Sequence, residues 1–365
     1  MKNILYLSTG GTIASTRGPG GIAPTKDAAA MLDSIPSLKK LCRVEARSIM
    51  NVDSTNMEPG DWKVIARNAF EGLSGFDGVV VSHGTHTLAY TAAALTFMIQ
   101  GVNRPVVITG SQLPFDAEGT DAARNLVDAF VTACEPVAGV FVVFDGRIMR
   151  GCRVSKMRTK HVDAFRSVNA PCLGAVWGGK VRYMVDFPML ERGYIAGETP
   201  GGAASASRFP GGGPHGGASP VKGSPALFPD VASEVSLFRL FPGFDPRIFD
   251  LLPGLGTRGV VIEGYGIGAI PFANEEFLGK VKRLIDGGIS TVISTQSLYD
   301  GTEMGLYRIG RKCLAVGAIE GHDMTTEALV TKLMWALGQT RDMDGVRKIM
   351  GTNYAGEVTL PGPRT

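Results

Sequence analysis

Two short segments hold the residues most able to do chemistry. Ser8-Thr9-Gly10-Gly11-Thr12-Ile13-Ala14 and Ser82-His83-Gly84-Thr85-His86-Thr87 each set a threonine beside glycine, directly after an apolar run. Glycine lets the backbone turn tightly and lets a substrate approach closely. Threonine is stiff at χ1, so its hydroxyl can be aimed. A hydroxyl is a weak nucleophile at neutral pH and needs a neighbouring base. Thr12 and Thr85 are therefore candidates for attack on a carbonyl, although either segment alone also reads as a turn leading into a helix N-cap. The glycines spell neither G-x-G-x-x-G nor a P-loop, which argues against nucleotide binding. No His, Cys, Asp or Glu spacing fits metal ligation, so neither metal nor cofactor is expected. His161, His215 and His322 read as surface residues, and His83 as a structural residue of its turn.

Two such segments can meet on one substrate when they leave the same edge of a sheet, since ligands of open parallel sheets bind beyond the carboxyl ends of the strands. Near-continuous apolar runs over Asn3 to Ser8, Gly78 to His83, Pro105 to Thr109 and Gly139 to Phe144 predict buried parallel strands. Helical patterns over Asp61 to Leu73, Thr87 to Gln100 and Thr120 to Cys134 lie between them, the grammar of an α/β fold. Gly201 to Pro229 is dense in Gly, Ala, Ser and Pro and reads as a linker or surface insertion. Beyond it, Gly259 to Glu263, Thr291 to Thr295 and Leu314 to Ala318 are expected strands, and Thr325 to Leu337 an amphipathic helix. The expected organisation is an N-terminal domain over 1–190 with a mainly parallel sheet flanked by helices and carrying both threonines. A linker or insertion follows over 191–234, then a smaller C-terminal α/β domain over 235–365.

Composition narrows the class. Of 365 residues, 44% are hydrophobic and 19% charged, which suits a core-forming globular chain. The net charge of +3 comes from scattered residues rather than a basic run, so no nucleic-acid partner is expected. The short apolar start lacks the length and cleavage site of a signal peptide, and no uninterrupted apolar stretch reaches a membrane-spanning length. Five widely spaced cysteines without a C-x-x-C pair fit reduced thiols. These features predict a cytoplasmic protein with no membrane partner.

Several segments in order carry a family resemblance: Thr9-Gly10-Gly11-Thr12-Ile13-Ala14; His83-Gly84-Thr85 with Thr87-Leu88-Ala89-Tyr90-Thr91-Ala92; Gly110-Ser111-Gln112-Leu113-Pro114; Arg150-Gly151-Cys152-Arg153-Val154-Ser155-Lys156; Asp163-Ala164-Phe165; Gly264-Tyr265-Gly266-Ile267-Gly268; and Asp323-Met324-Thr325-Thr326-Glu327-Ala328. Together they resemble the bacterial asparaginase/glutaminase family, and within it the cytoplasmic type I asparaginases. The resemblance implies a hydrolase that turns a small carboxamide into an acid and ammonia through an acyl-threonine ester. It implies Thr12 as nucleophile, Thr85 on the other side of the amide carbon, and Lys156 tuning Thr85. It further implies Asp53 and Ser54 as holders of the substrate's carboxylate and amino end. Gly11 and Gly84 would admit the substrate and offer backbone N–H groups to the oxyanion. Ser15 to Pro24 resembles the family's closing lid, and a dimer or tetramer is implied.

Three positions depart from the family pattern. His86 stands where the family carries an aspartate that grips an α-ammonium group. Ile22 stands where the lid carries a tyrosine. Ile267 and Ala269 lie where relatives place an asparagine, and Thr295-Gln296-Ser297 resembles an effector segment with serine replacing cysteine. Imidazole titrates near neutrality, so His86 is a candidate general base for Thr12. The departures remove polar handles for an amino-acid head group. The alternative substrates are therefore an amide, lactam or cyclic imide without a free α-amino group. A non-catalytic amide binder is opposed by the presence of Thr12, Thr85 and Lys156 together. An ammonia-supplying amidotransferase component would bring an RNA-contacting segment, and none is read in the sequence.

Overall fold

Ile4 to Leu7 are fully buried, as a strand covered on both faces requires. The computed structural model describes residues 1–18, 21–24, 28–185, 225–272 and 276–359, and these fall into two units that part between Pro229 and Asp230. In the first unit the strands are β1 (Asn3–Gly10), β2 (Ser15–Gly18), β3 (Gly21–Pro24), β4 (Arg43–Val52), β5 (Gly78–Ser82), β6 (Ile99–Gln100), β7 (Pro105–Thr109), β8 (Gly139–Phe144), β9 (Arg147–Arg150), β10 (Val154–Lys156), β11 (Phe165–Ser167), β12 (Gly174–Trp177), β13 (Lys180–Tyr183) and β14 (Ala226–Leu227). Its helices are α1 (Ala28–Asp33), α2 (Leu38–Leu41), α3 (Pro59–Gly75), α4 (Leu88–Met98) and α5 (Ala122–Ala133).

The main sheet has eight strands in the order β13-β12-β9-β8-β7-β5-β1-β4. The strands from β4 to β8 are parallel, and β9, β12 and β13 add an antiparallel edge. All four runs expected as buried strands are strands. The 10-residue β4 carries no such signal, because this edge strand has only half-buried and exposed positions and bears charges such as Arg43, Glu45 and Arg47. α3 opens where Pro59 supplies a first helical residue with no N–H to satisfy, and the Glu58 N–H donates to Asp61 at 2.9 Å. β14, near the end of the expected insertion, pairs with β6. Residues 186–224 lie outside the described residues.

The second unit is a parallel sheet of four strands, β15 (Val235–Arg239), β16 (Gly259–Gly264), β17 (Ser290–Thr295) and β18 (Ile319–Glu320), with α6 (Glu276–Asp286), α7 (Arg308–Ala315), α8 (Thr326–Gln339) and α9 (Met343–Gly351). Phe238, Phe244, Phe249 and Phe277 pack ring on ring in its core. Lys332 and Glu357, both fully buried, pair at 2.7 Å. Lys332 also donates to two carbonyls and Glu357 accepts from two backbone N–H groups, so neither charge is left unsatisfied. The expected strand over Leu314 to Ala318 is a correction. Leu314 and Ala315 end α7, whose inner face is Ile309, Gly310 and Cys313, and the chain turns at Gly317 (φ +100°) before β18. A short apolar run does not by itself separate a helix end from a strand. The expected helix is α8, capped by the Thr325 hydroxyl, which accepts from Ala328 N–H at 3.1 Å.

Candidate active site

Register brings the two threonine turns to one edge. Ser8 lies opposite Ser82, and Ser82 opposite Thr109, so the chain leaves β1, β5 and β7 side by side. The Thr9 hydroxyl donates to the Ser82 carbonyl at 2.9 Å, and the His83 N–H to the Thr109 carbonyl at 2.8 Å. Past β1 the backbone turns through Gly10 and Gly11, at φ +98° and +76°, a region that L side chains rarely enter. Thr12 then opens a single 3-10 turn. A Cβ on Gly11 would lie 2.4 Å from both the Cα and N of Gly84. Two bare backbones touch there, and their contact sets the spacing between the Thr12 and Thr85 turns. A Cβ on Gly84 would lie 2.4 Å from the Ser54 Oγ, so this turn is held on its other side as well.

Thr85 is buried and its hydroxyl is fully engaged. It accepts from the Lys156 ammonium at 2.7 Å and donates to the Gln112 Oε1 at 3.0 Å. Lys156 reaches it from the end of β10, which pairs with β11. Burial lowers the Lys156 pKa, because a charged ammonium is disfavoured away from water. Gln112 is the residue that sequence reasoning missed. Its amide nitrogen donates to the Thr159 and His161 carbonyls at 3.0 and 3.2 Å, so it ties Thr85 to the chain beyond Lys156. The signal was present only as a match in Gly110-Ser111-Gln112-Leu113-Pro114, with no role attached. The turn carrying Gln112 is in turn held by Asp121, which accepts from the Gln112 and Leu113 N–H groups, and by Asn125, which donates to the Gly110 carbonyl at 3.0 Å.

The expected recognition residues sit against the Thr85 turn. The Ser54 Oγ accepts from the His86 N–H at 3.2 Å, and the Ser54 carbonyl accepts from the Thr87 hydroxyl at 2.8 Å. Asp53 is exposed and accepts from both the N–H and the hydroxyl of Thr55 at 2.9 Å. The Thr55 N–H first, then the Thr55 hydroxyl and the nearby His86, hold the Asp53 carboxyl below its ordinary pKa, against the opposing effect of its partial burial. The His86 side chain is exposed, and the N-cap of α4 is Thr87. The Thr12 hydroxyl has no hydrogen-bond partner among the described residues, so none joins it to His86. The backbone of Ile22 pairs with Arg17 in the β2–β3 hairpin, and β3 lies against the Thr12 turn. The Ile22 side chain lies outside what is described.

Among the described residues no group of three or more His, Cys, Asp or Glu side chains is placed to hold a metal ion. His161 is exposed and His322 half-buried, while His215 lies outside the described residues. In the second unit the Thr295 hydroxyl donates to the Gly266 carbonyl, and Gln296 donates to the Leu240 and Glu263 carbonyls at 2.6 and 3.1 Å. No described helix is long and apolar enough to cross a membrane.

Residues 3–188 match the family described as Asparaginase, N-terminal, and residues 234–350 the Glutaminase/Asparaginase C-terminal domain. The chain is similar to the L-asparaginase of Thermococcus kodakarensis, at 39% identity over 98% of this chain and 99% of that one. The solved thermostable L-asparaginase from the same organism superimposes with a TM-score of 0.83 at 37% identity, over 98% of this chain and 100% of that one. The chain is also similar to a component of the glutamyl-tRNA(Gln) amidotransferase of Pyrococcus furiosus, at 33% identity over 98% of this chain and 77% of that protein. In both halves of its sequence and in its two-unit α/β fold, the chain belongs to the asparaginase family, and it is a hydrolase acting on carbon–nitrogen bonds other than peptide bonds.

Proposed function

We propose that the protein hydrolyses a small carboxamide to the acid and ammonia, with Thr12 as nucleophile. The observation that carries this reading is the Thr85 hydroxyl, held between Lys156 and Gln112 on the turn that Gly11 touches. Attack of the Thr12 Oγ on the amide carbon forms a tetrahedral oxyanion, which backbone N–H groups of the two threonine turns stabilise; the Gly11 N–H is not among them, since it donates to the Val52 carbonyl at 3.1 Å. Thr85 and Lys156 pass a proton to the departing nitrogen, and ammonia leaves. Water then attacks the acyl-threonine ester, releasing the acid and restoring Thr12. A lysine depressed by burial exchanges protons nearer neutrality than an exposed one.

Two groups in this reading have their own tests. His86, beside Asp53, is assigned as the base that takes the Thr12 proton. Full activity in both His86→Ala and His86→Asp would remove that role. Asp53 and Ser54 hold the polar end of the substrate, and Ile22 lies on a hairpin that closes over it. Because His86 stands where the family pattern has the aspartate that grips an α-ammonium group, a free α-ammonium gains less there, which favours amides, lactams or imides lacking one. Ammonia release and ring opening over L-asparagine, L-glutamine, N-acetyl-asparagine, succinamate and simple lactams and imides decides this, with Thr12→Ala as the blank. Fast release from asparagine makes the amino group tolerated. Turnover restricted to compounds without it makes His86 a selector. Activity surviving in Thr12→Ala rejects the nucleophile. Self-association as a dimer or tetramer is part of the same reading and is checked by sedimentation.

A further inference from the structure

His83 takes no part in the steps above, yet it is fully buried and both of its ring nitrogens are engaged. Nδ1 lies 2.7 Å from the Gly84 carbonyl oxygen and Nε2 lies 2.9 Å from the Thr91 hydroxyl of α4. A carbonyl can only accept, so Nδ1 carries the proton and Nε2 accepts from Thr91. Burial pushes the imidazole pKa down to about 4, so this neutral form persists across the working pH range.

The consequence runs through the next peptide. The Gly84–Thr85 bond is trans, so its N–H points opposite to its C=O. A Gly84 carbonyl turned toward His83 turns the Thr85 N–H away from it. Thr85 is only 3% exposed, and its N–H has no acceptor among the described residues. Buried backbone donors are nearly always paired. An unpaired one beside the Thr12 turn marks a donor held for a ligand. The His83 backbone is held as well, since its N–H donates to the Thr109 carbonyl at 2.8 Å.

We propose that His83 is a positioning residue, whose grip on the Gly84 carbonyl keeps the Thr85 N–H turned toward the substrate carbonyl oxygen that becomes the oxyanion. This rests on the amide-hydrolysis reading above. The test compares His83→Asn, His83→Gln and His83→Ala for kcat, KM and Tm on the best amide of the panel. The asparagine amide nitrogen sits near the place of Nδ1 and can hold Gly84. The glutamine nitrogen sits near that of Nε2 and cannot. His83→Ala and His83→Gln are expected to lose about 100-fold in kcat with KM within about threefold, the size of effect seen when one oxyanion donor is lost. His83→Asn should stay within about tenfold of the wild type. A purely structural histidine would make kcat follow Tm, with Asn and Gln alike. That result, or His83→Ala within threefold of the wild type, overturns the assignment. If the His83 variants do not fold, Thr91→Val decides. It keeps the volume and frees Nε2, and an unchanged kcat overturns the proposal. A wild type that turns over no amide overturns the hydrolysis reading and this one with it. A turning-over wild type with unaffected variants overturns this one alone.

Discussion

Replacing Gly11 by alanine tests whether the spacing of the two threonine turns governs the chemistry. The new Cβ would meet the Gly84 Cα and N at 2.4 Å, where ordinary contacts begin near 3.4 Å. Both colliding atoms are backbone, so no rotamer change relieves them, and the turns must part by about 1 Å. A displacement of about 1 Å in a reacting geometry costs about 100-fold in rate. Stability falls too, by about 1–2 kcal/mol for a Cβ at φ +76°, and by about 1–3 kcal/mol for the overpacking. Gly119→Ala is the control. Gly119 has φ +71° and nothing within 4 Å of its would-be Cβ, so it carries the same backbone strain without the collision. The assay is steady-state ammonia release alongside thermal unfolding of both variants. Gly119→Ala is expected to lose about 1–2 kcal/mol and keep its kcat. Gly11→Ala should lose more stability and about two orders of magnitude in kcat. If Gly11→Ala keeps kcat within threefold, the contact does not set the catalytic spacing and the argument fails.

Lys156→Met should lower kcat by about 100-fold or more, the usual loss when a proton-transfer group is removed. Burial depresses the Lys156 pKa, so the neutral amine fills in as pH rises through a value below that of an exposed lysine. The ammonium that donates to Thr85 is lost in that window, so the wild-type rate should fall through it, and a pH profile of Lys156→Met should lack the fall. Gln112→Glu places a carboxylate on the Thr85 hydroxyl beside Lys156 and favours the charged ammonium, so the basic limb of the same profile should move to higher pH; an unmoved limb would separate Lys156 from the titration. Among the described residues Asp128 Oδ2 has no hydrogen-bond partner, Arg124 lies 3.7 Å away, and burial raises the carboxyl to about 6. The folded state therefore binds this proton more tightly than the unfolded chain, and stability falls as pH rises from the ordinary carboxyl range through about 6. Asp128→Asn should raise Tm by about 2 °C at pH 8, the equivalent of roughly 1 kcal/mol after allowing for solvent screening. Little gain is expected at pH 4, and an equal gain at both would rule out the titration.

The turns that carry the candidate residues were legible in the sequence wherever they depended on local order. Gly10-Gly11-Thr12 and Gly84-Thr85 after apolar runs mark strand ends, because only a short list of residues can turn the chain there. The buried strands were legible because burial on both faces leaves a continuous apolar run. Edge strand β4 was not, since its half-buried and exposed positions and its charges look like a polar loop. Leu314 to Ala318 misled because a helix's apolar last turn and a short strand have the same composition. The partnerships at the site were decided by tertiary structure. Lys156 comes to Thr85 across 71 residues and Gln112 across 27, and no local pattern encodes which strand ends become neighbours. The same holds for the bare contact of Gly11 with Gly84 and for His83 turning the Gly84 peptide. Residue type states what a group can donate, accept or permit. Which group receives it is fixed by sheet order and register, and these are set by the packing of the whole chain.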